Sequence, residues 1–395
     1  MKIAWMPIAS KLRPRVSIDE FHERQERARE LCAARGWPGL AVFARGGGTY
    51  DRHGDVLYLT GHYQSFVYLR DRPPLWSGRS HTLLVLPVDA PPTLLSTAPD
   101  LDPDLAIEDV RVTGQFARDA AAVLAGVAGG GLVGGDVVPY SLARELPLDS
   151  FAPADELLDQ LRRRKSPAEQ RVLGHVCEIG SRAVSAVLSA AVPGATEGEA
   201  IAAAAGIAYA DGAVIYLPVL SAADRTESYT GRPLPGYRHE RRFAAGDLAR
   251  LDLVIVYEGY YCDFGRSWVV GGKGLDPEAD SLIDAMRDGL AAALAAIEPG
   301  IEAGAIARAG TAAVPAKFSL AYPPHWGHGL GLGWEGPVLL PDSRDPVEEG
   351  MALAVEVTIS DNHGRAASGE ENVIVRRDGA QLLTTSRWEP EASGA

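Results

Sequence analysis

A pair of acids inside an apolar ribbon constrains this chain more than any other feature. Residues 248–270 read LARLDLVIVYEGYYCDFGRSWVV. Residues 248–256 are rich in aliphatic and β-branched side chains, Glu258-Gly259 supplies a two-residue turn, and residues 260–270 return, so the stretch reads as a β-hairpin. Asp252 and Asp263 lie within these strands. A carboxylate buried in a sheet is costly unless a cation or hydrogen bonds neutralise it. With the turn at Glu258-Gly259, Asp252 faces Gly265, and Asp263 shares that face. The diagonal backbone separation is then roughly 5.5–8 Å, so the two carboxylates can share one divalent cation or bracket two. The hairpin alone leaves a second arrangement open, with one Asp in a hydrogen-bonded bend and the other paired to Arg266.

The length of 395 residues predicts two domains, and an apolar content of 46% suffices for a large core. A net charge of −14 argues against nucleic acid or an anionic membrane as the main partner. Cys32, Cys177 and Cys262 are far apart and form no CxxC pair, which disfavours a disulfide framework and fits a reducing cytoplasm. Cys262 adjoins Asp263, but strand neighbours point to opposite faces, so it is expected to pack. The first fifteen residues lack a signal-peptide core, and no stretch is apolar enough to span a bilayer.

In the first part of the chain, residues 18–36 predict a charged helix ending at Gly36, and residues 39–44 and 55–61 predict strands. Residues 81–88 and 92–97 predict a hairpin, residues 116–127 a helix and residues 131–138 a strand. This alternation implies an α/β domain of ordinary size, about 150 residues. His53, His62 and His81 are spread out in it, and Tyr63, Tyr68 and Trp76 lie in polar loops. In the second part, Ser166-Pro167-Ala168-Glu169 is a helix start, and Thr196 with Glu199 is another. After the ribbon, residues 277–297 and 301–314 are helical. The second part therefore reads as two helix–helix–strand halves.

Three further stretches carry chemistry. Residues 325–337, HWGHGLGLGWEGP, are glycine-rich with two histidines, and their spacing does not match a phosphate loop. Residues 351–360 form an apolar strand carrying Glu356. Residues 371–385 form a hairpin over Asp378-Gly379, with Glu371 at its start. Each taken singly fits a loop histidine or a solvated charge.

As an ordered set these residues resemble the pita-bread metallohydrolases: methionine aminopeptidase, aminopeptidase P, prolidase and the related creatinase. The resemblance covers roughly residues 160–385, and the preceding region is similar to the creatinase/prolidase N-terminal domain. It implies an α+β fold, with an N-terminal domain over residues 1–157 and a duplicated pita-bread catalytic domain over residues 158–395. It implies metal ligands at Asp252, Asp263, His328, Glu356 and Glu371. Four carboxylates and one imidazole suit a pair of hard divalent ions, Mn²⁺ first, with Zn²⁺, Co²⁺ or Fe²⁺ as alternatives. The implied reaction is attack of a metal-bound hydroxide on a peptide or amide carbonyl, with Glu356 as proton acceptor, in a homodimer.

Two departures stand out. The family's histidine before the first Asp is absent from residues 233–236, and His239 comes a few residues late. Seven residues after His328 stands Glu335, not histidine. His325, Trp334, Tyr237 and Tyr229 are candidate substrate contacts. Two enzyme readings follow. One is a peptidase acting on short peptides with proline after the scissile bond. The other is a metal-dependent hydrolase or lyase of a non-peptide small molecule, with Glu335 as the base. A non-catalytic binding protein would not need five metal-binding groups.

Overall fold

The computed structural model describes residues 14–388 except 49, 68, 73, 99–100, 102–104, 224–225, 227–233 and 322–323. Tyr68 and Tyr229 lie outside the described residues. The first part runs α1 (Ile18–Ala34), β1 (Gly39–Arg45), α2 (Gly54–Thr60), β2 (His81–Pro87), β3 (Thr93–Ser96), β4 (Asp109–Val112), α3 (Phe116–Leu124), β5 (Gly131–Val133), α4 (Tyr140–Ala143) and β6 (Ala152–Pro153). Its six strands form one mixed sheet in the order β4-β3-β2-β1-β5-β6.

Three expectations here need correction. Residues 55–61 form the helix α2, not a strand: Val56, Leu59 and Thr60 face inward on one side, and Gly61, in the left-handed region at φ 76°, closes the last turn. The short apolar run fits either period, and tertiary contact holds the helix, where Tyr58 O accepts from the buried Arg24 Nη1 at 2.9 Å. The strand expected over residues 131–138 stops at Val133, where Gly134 turns the chain at φ 72°. The histidines are also less scattered than the sequence implies, since His53 and His62 are buried with ring centroids 5.7 Å apart.

The second part follows through α5 (Asp155–Arg162). Its first half is α6 (Pro167–Ala190), α7 (Glu197–Ala210), β7 (Val214–Ala222), β8 (Leu248–Tyr257) and β9 (Tyr260–Val269). Both helices open with the capping boxes expected at Ser166/Glu169 and Thr196/Glu199. The second half is α8 (Pro277–Ala295), α9 (Ala303–Ala313), β10 (Ser319–Leu320), β11 (Gly327–Leu330), β12 (Trp334–Val338), β13 (Ala352–Ser360), β14 (Ala366–Arg376) and β15 (Gly379–Leu382). The expected helix–helix–strand duplication is present. No helix among the described residues is long and apolar enough to cross a membrane.

The ribbon has the register its turn implies. Glu258 and Gly259 both take positive φ, and Asp252 pairs with Gly265 while Val254 pairs with Asp263. The sheet β7-β8-β9 and the sheet β12-β11-β13-β14-β15 are separate ladders. Side chains stitch β9 to β14. Ser267 Oγ donates to Ser368 O and accepts from Ser368 N, both at 2.9 Å. Asn372 Oδ1 accepts from Asp263 N at 3.1 Å, and its amide donates to Asp263 O. Leu251, Leu253 and Phe264 share a core with Val172, Val176 and Ile179 of α6. Val355 and Val373 share a second core with Leu282 and Met286 of α8. Helices thus bury one face of each sheet, and the acids stand on the other.

Candidate metal centre

On that inner face, Asp263, His328 and Glu370 bring ligand atoms within 4.8 Å of one another. His328 Nε2 lies 3.7 Å from Asp263 Oδ2 and 3.8 Å from Glu356 Oε1. Glu356 and Glu370 are direct cross-strand partners on β13 and β14, so they share a face. His325 Nε2 lies 3.1 Å from Glu356 Oε1. Trp334 Nε1 donates to Asp263 Oδ2 at 2.6 Å, and its ring stands edge-on to His328 with centroids 6.3 Å apart. Asp252 and Asp263 are both buried on this face.

The electrostatics of the cluster are those of an anion excess. Burial, then the charges of Asp263, Glu356 and Asp252, hold the Glu370 carboxyl well above the usual carboxylate range. Burial opposes the charging of His328, yet Asp263 and Glu356 raise its pKa above the ordinary imidazole value. Burial likewise opposes ionisation of Glu356, but His325, His328 and Arg250 lower its pKa. A largely buried set of four carboxylates and one imidazole fits hard divalent cations, which would neutralise the repulsion that Glu370 registers.

Glu371 is not a member of this cluster, and Glu370 takes the place expected for it. The strand β14 begins at Ala366 and not at Glu371, so Glu371 pairs with Val355 and points to the opposite face. There its Oε1 accepts from Arg266 Nη2 at 2.6 Å and its Oε2 from the Thr384 hydroxyl. Arg266 is fully buried, its guanidinium 4.2 Å from the Phe264 ring centroid and 3.9 Å from that of Trp388. The alternative pairing of Arg266 with a ribbon Asp is thereby replaced by its pairing with Glu371. The register explains the choice: Glu356 stands four residues before Ser360 and Glu370 four after Ala366, the pair that closes the β13–β14 hairpin.

Glu335 is also placed elsewhere. It accepts from Arg162 Nη2 at 2.6 Å, Lys165 Nζ at 2.5 Å and Leu332 N at 3.0 Å. Burial opposes its ionisation, but Arg162 and Lys165 overcome this and lower its pKa to about 2. A carboxylate so paired does not serve as a base near neutral pH. His239 is 60% exposed at its side chain, with Nε2 3.4 Å from Glu240 Oε1, so the expected catalytic imidazole is a surface group. Tyr237 packs against the first core. His325 and Trp334 are the two flanking candidates that the fold brings to the cluster.

A model of metallopeptidase family M24 matches residues 172–377, a span that contains the entire cluster. The chain belongs to metallopeptidase family M24. It is a metal-dependent hydrolase, as the ordered motifs implied. The Xaa-Pro dipeptidase of Pyrococcus horikoshii is 24% identical over 265 residues, covering 64% of this chain and 72% of that protein. The Xaa-Pro dipeptidase of Pyrococcus furiosus is 25% identical over 248 residues, covering 60% of this chain and 68% of that protein. Among solved structures, the dipeptidase PepE of Mycobacterium ulcerans superposes with a TM-score of 0.74 at 24% identity, covering 95% of this chain and 98% of that one. The prolidase of Pyrococcus horikoshii superposes with a TM-score of 0.75 at 18% identity, covering 93% and 99%. These superpositions extend over the first part of the chain as well, and the M24 protein has the pita-bread fold with a preceding α/β domain.

Proposed function

We propose that this M24 hydrolase removes the first residue from short peptides with proline in second position. The observation that carries the reading is the convergence of Asp263, His328 and Glu370, with Glu356 and Asp252 on the same buried face. We assign Asp252, Asp263, His328, Glu356 and Glu370 as the residues that hold two divalent cations. Such cations, Mn²⁺ by preference for an oxygen-rich donor set, supply Lewis acidity at the scissile carbonyl and make water a better nucleophile at neutral pH. Glu356 Oε1 takes the proton of the attacking water, and His325 Nε2, 3.1 Å away, orients that oxygen. As the carbon–nitrogen bond breaks, the nitrogen leaves with that proton. Trp334 holds Asp263 Oδ2 through its indole N–H and offers the remainder of a ring that is 42% exposed as a wall for the substrate. The non-peptide reading loses its support here, because it relied on a basic Glu335 that Arg162 and Lys165 already neutralise.

We further take the protein to be a cytoplasmic homodimer, with the domain boundary near residue 157. The three buried, unbridged cysteines support a reducing compartment. The test is a panel of Xaa-Pro dipeptides and Xaa-Pro-Xaa tripeptides with Mn²⁺-loaded protein, read by chromatography of the released amino acid. Release from proline-containing peptides is expected. Loaded protein that turns over none of them defeats the peptidase assignment.

A further inference from the structure

Trp334 and Glu335 are neighbours on β12 and point opposite ways. Trp334 reaches the metal centre, while Glu335 reaches the junction with the first part of the chain. Glu335 Oε1 accepts from Arg162 Nη2 at 2.6 Å and Nε at 3.2 Å, and Oε2 accepts from Lys165 Nζ at 2.5 Å. Arg162 Nη1 in turn donates to Asp55 Oδ1 on α2 at 2.6 Å. A buried ionic node therefore links α2, the end of α5, the start of the α6 approach and β12. Such charge-assisted bonds are short and geometrically restrictive. The turn before Trp334 is gripped as well. A Cβ at Gly331 would lie 2.3 Å from Glu335 Oε1, so only glycine lets the carboxylate seat there. Gly331 O accepts from Tyr261 N at 2.9 Å, which ties the same turn to β9 two residues from Asp263.

We propose that Glu335 is a positioning residue. Anchored by Arg162 and Lys165, it holds the Trp334 indole N–H on Asp263 Oδ2. Through that contact the seating of the first part of the chain sets the metal affinity of the centre. This rests on the metal-site reading above. Hydrogen-bond partners of metal ligands typically contribute about 10–100-fold in affinity, and here the partner is itself held by an ionic node about one residue away in sequence.

The experiment is Mn²⁺ calorimetric titration of the metal-free protein, with visible absorption of the Co²⁺-loaded form. It compares wild type, Glu335→Gln, Trp334→Phe and the double variant. Each single variant is expected to weaken Mn²⁺ binding about tenfold and to shift the cobalt band. The double variant is expected to be no more than about threefold weaker than the worse single one, because both act through one contact. Wild-type affinity and an unmoved band in Glu335→Gln would overturn the proposal, even if its melting temperature fell. So would lost turnover with both metal readouts unchanged, which is the signature of a base, and so would fully additive effects. A wild type that binds neither ion defeats the metal-site reading and this proposal with it. If Glu335→Gln does not accumulate folded, Asp55→Asn loosens the node from its outer end. A smaller shift in the same direction supports the proposal, and no shift overturns it.

Discussion

Two buried groups of carboxylates in this molecule solve the same electrostatic problem in opposite ways. Around Glu335 the chain supplies its own cations, and the acid is driven to a pKa of about 2 despite its burial. Around Glu370 the chain packs further acids against a buried one, and its pKa rises. The first arrangement is complete as it stands and holds two parts of the chain together. The second is complete only with an added positive charge. The difference separates an acid whose charge the chain itself neutralises from acids that, under the proposed function, would hold cations, although the sequence presents them alike.

The sharpest way to break this comparison is to neutralise neighbouring acids on β14. Glu370→Gln should lower metal retention more than about a hundredfold, read by elemental analysis after dialysis, with turnover lost in parallel. Glu371→Gln should keep its metal and instead lose about 3 kcal/mol of stability in urea, because Arg266 is left buried without its partner. Equal metal loss in both variants would return Glu371 to the ligand set. Next in size is metal removal. At about 100 times its dissociation constant Mn²⁺ should stabilise the fold by about 2.7 kcal/mol, and chelation should abolish that increment.

A further effect is expected on the acid side of the stability curve. The folded pKa of Glu335 is about 2 and its ordinary value is 4.5, so the unfolded chain takes up the proton first. Its contribution is full above pH 4.5 and is lost as pH falls toward about 2. The loss approaches about 1.4 kcal/mol per pH unit between the two values, and Glu335→Gln should flatten the acid limb by that slope. An unchanged limb would mean that the node contributes nothing to folding.

Much of this was legible in the sequence because it depends on neighbours. The capping boxes at Ser166 and Thr196, the turn at Glu258-Gly259 and the shared face of Asp252 and Asp263 each follow from residues within a few positions. Glu370 was hidden because strand parity decides it, and a one-residue error in where β14 starts exchanges the two faces. The role of Glu335 was hidden because its partners Arg162 and Lys165 are some 170 positions away. Helix α2 was misread because a short apolar run fits either period.

By itself, then, the sequence determined most of the elements, their order and the kinds of donor available for metal, since propensity, capping and motif order are local properties of the chain. Only the tertiary structure decided which of two adjacent glutamates meets Asp263 and His328. It alone also decided that Glu335 is bound by cations while Trp334 reaches the centre. Those outcomes depend on register and on charges brought together from distant segments, where a low-dielectric interior makes each partner count.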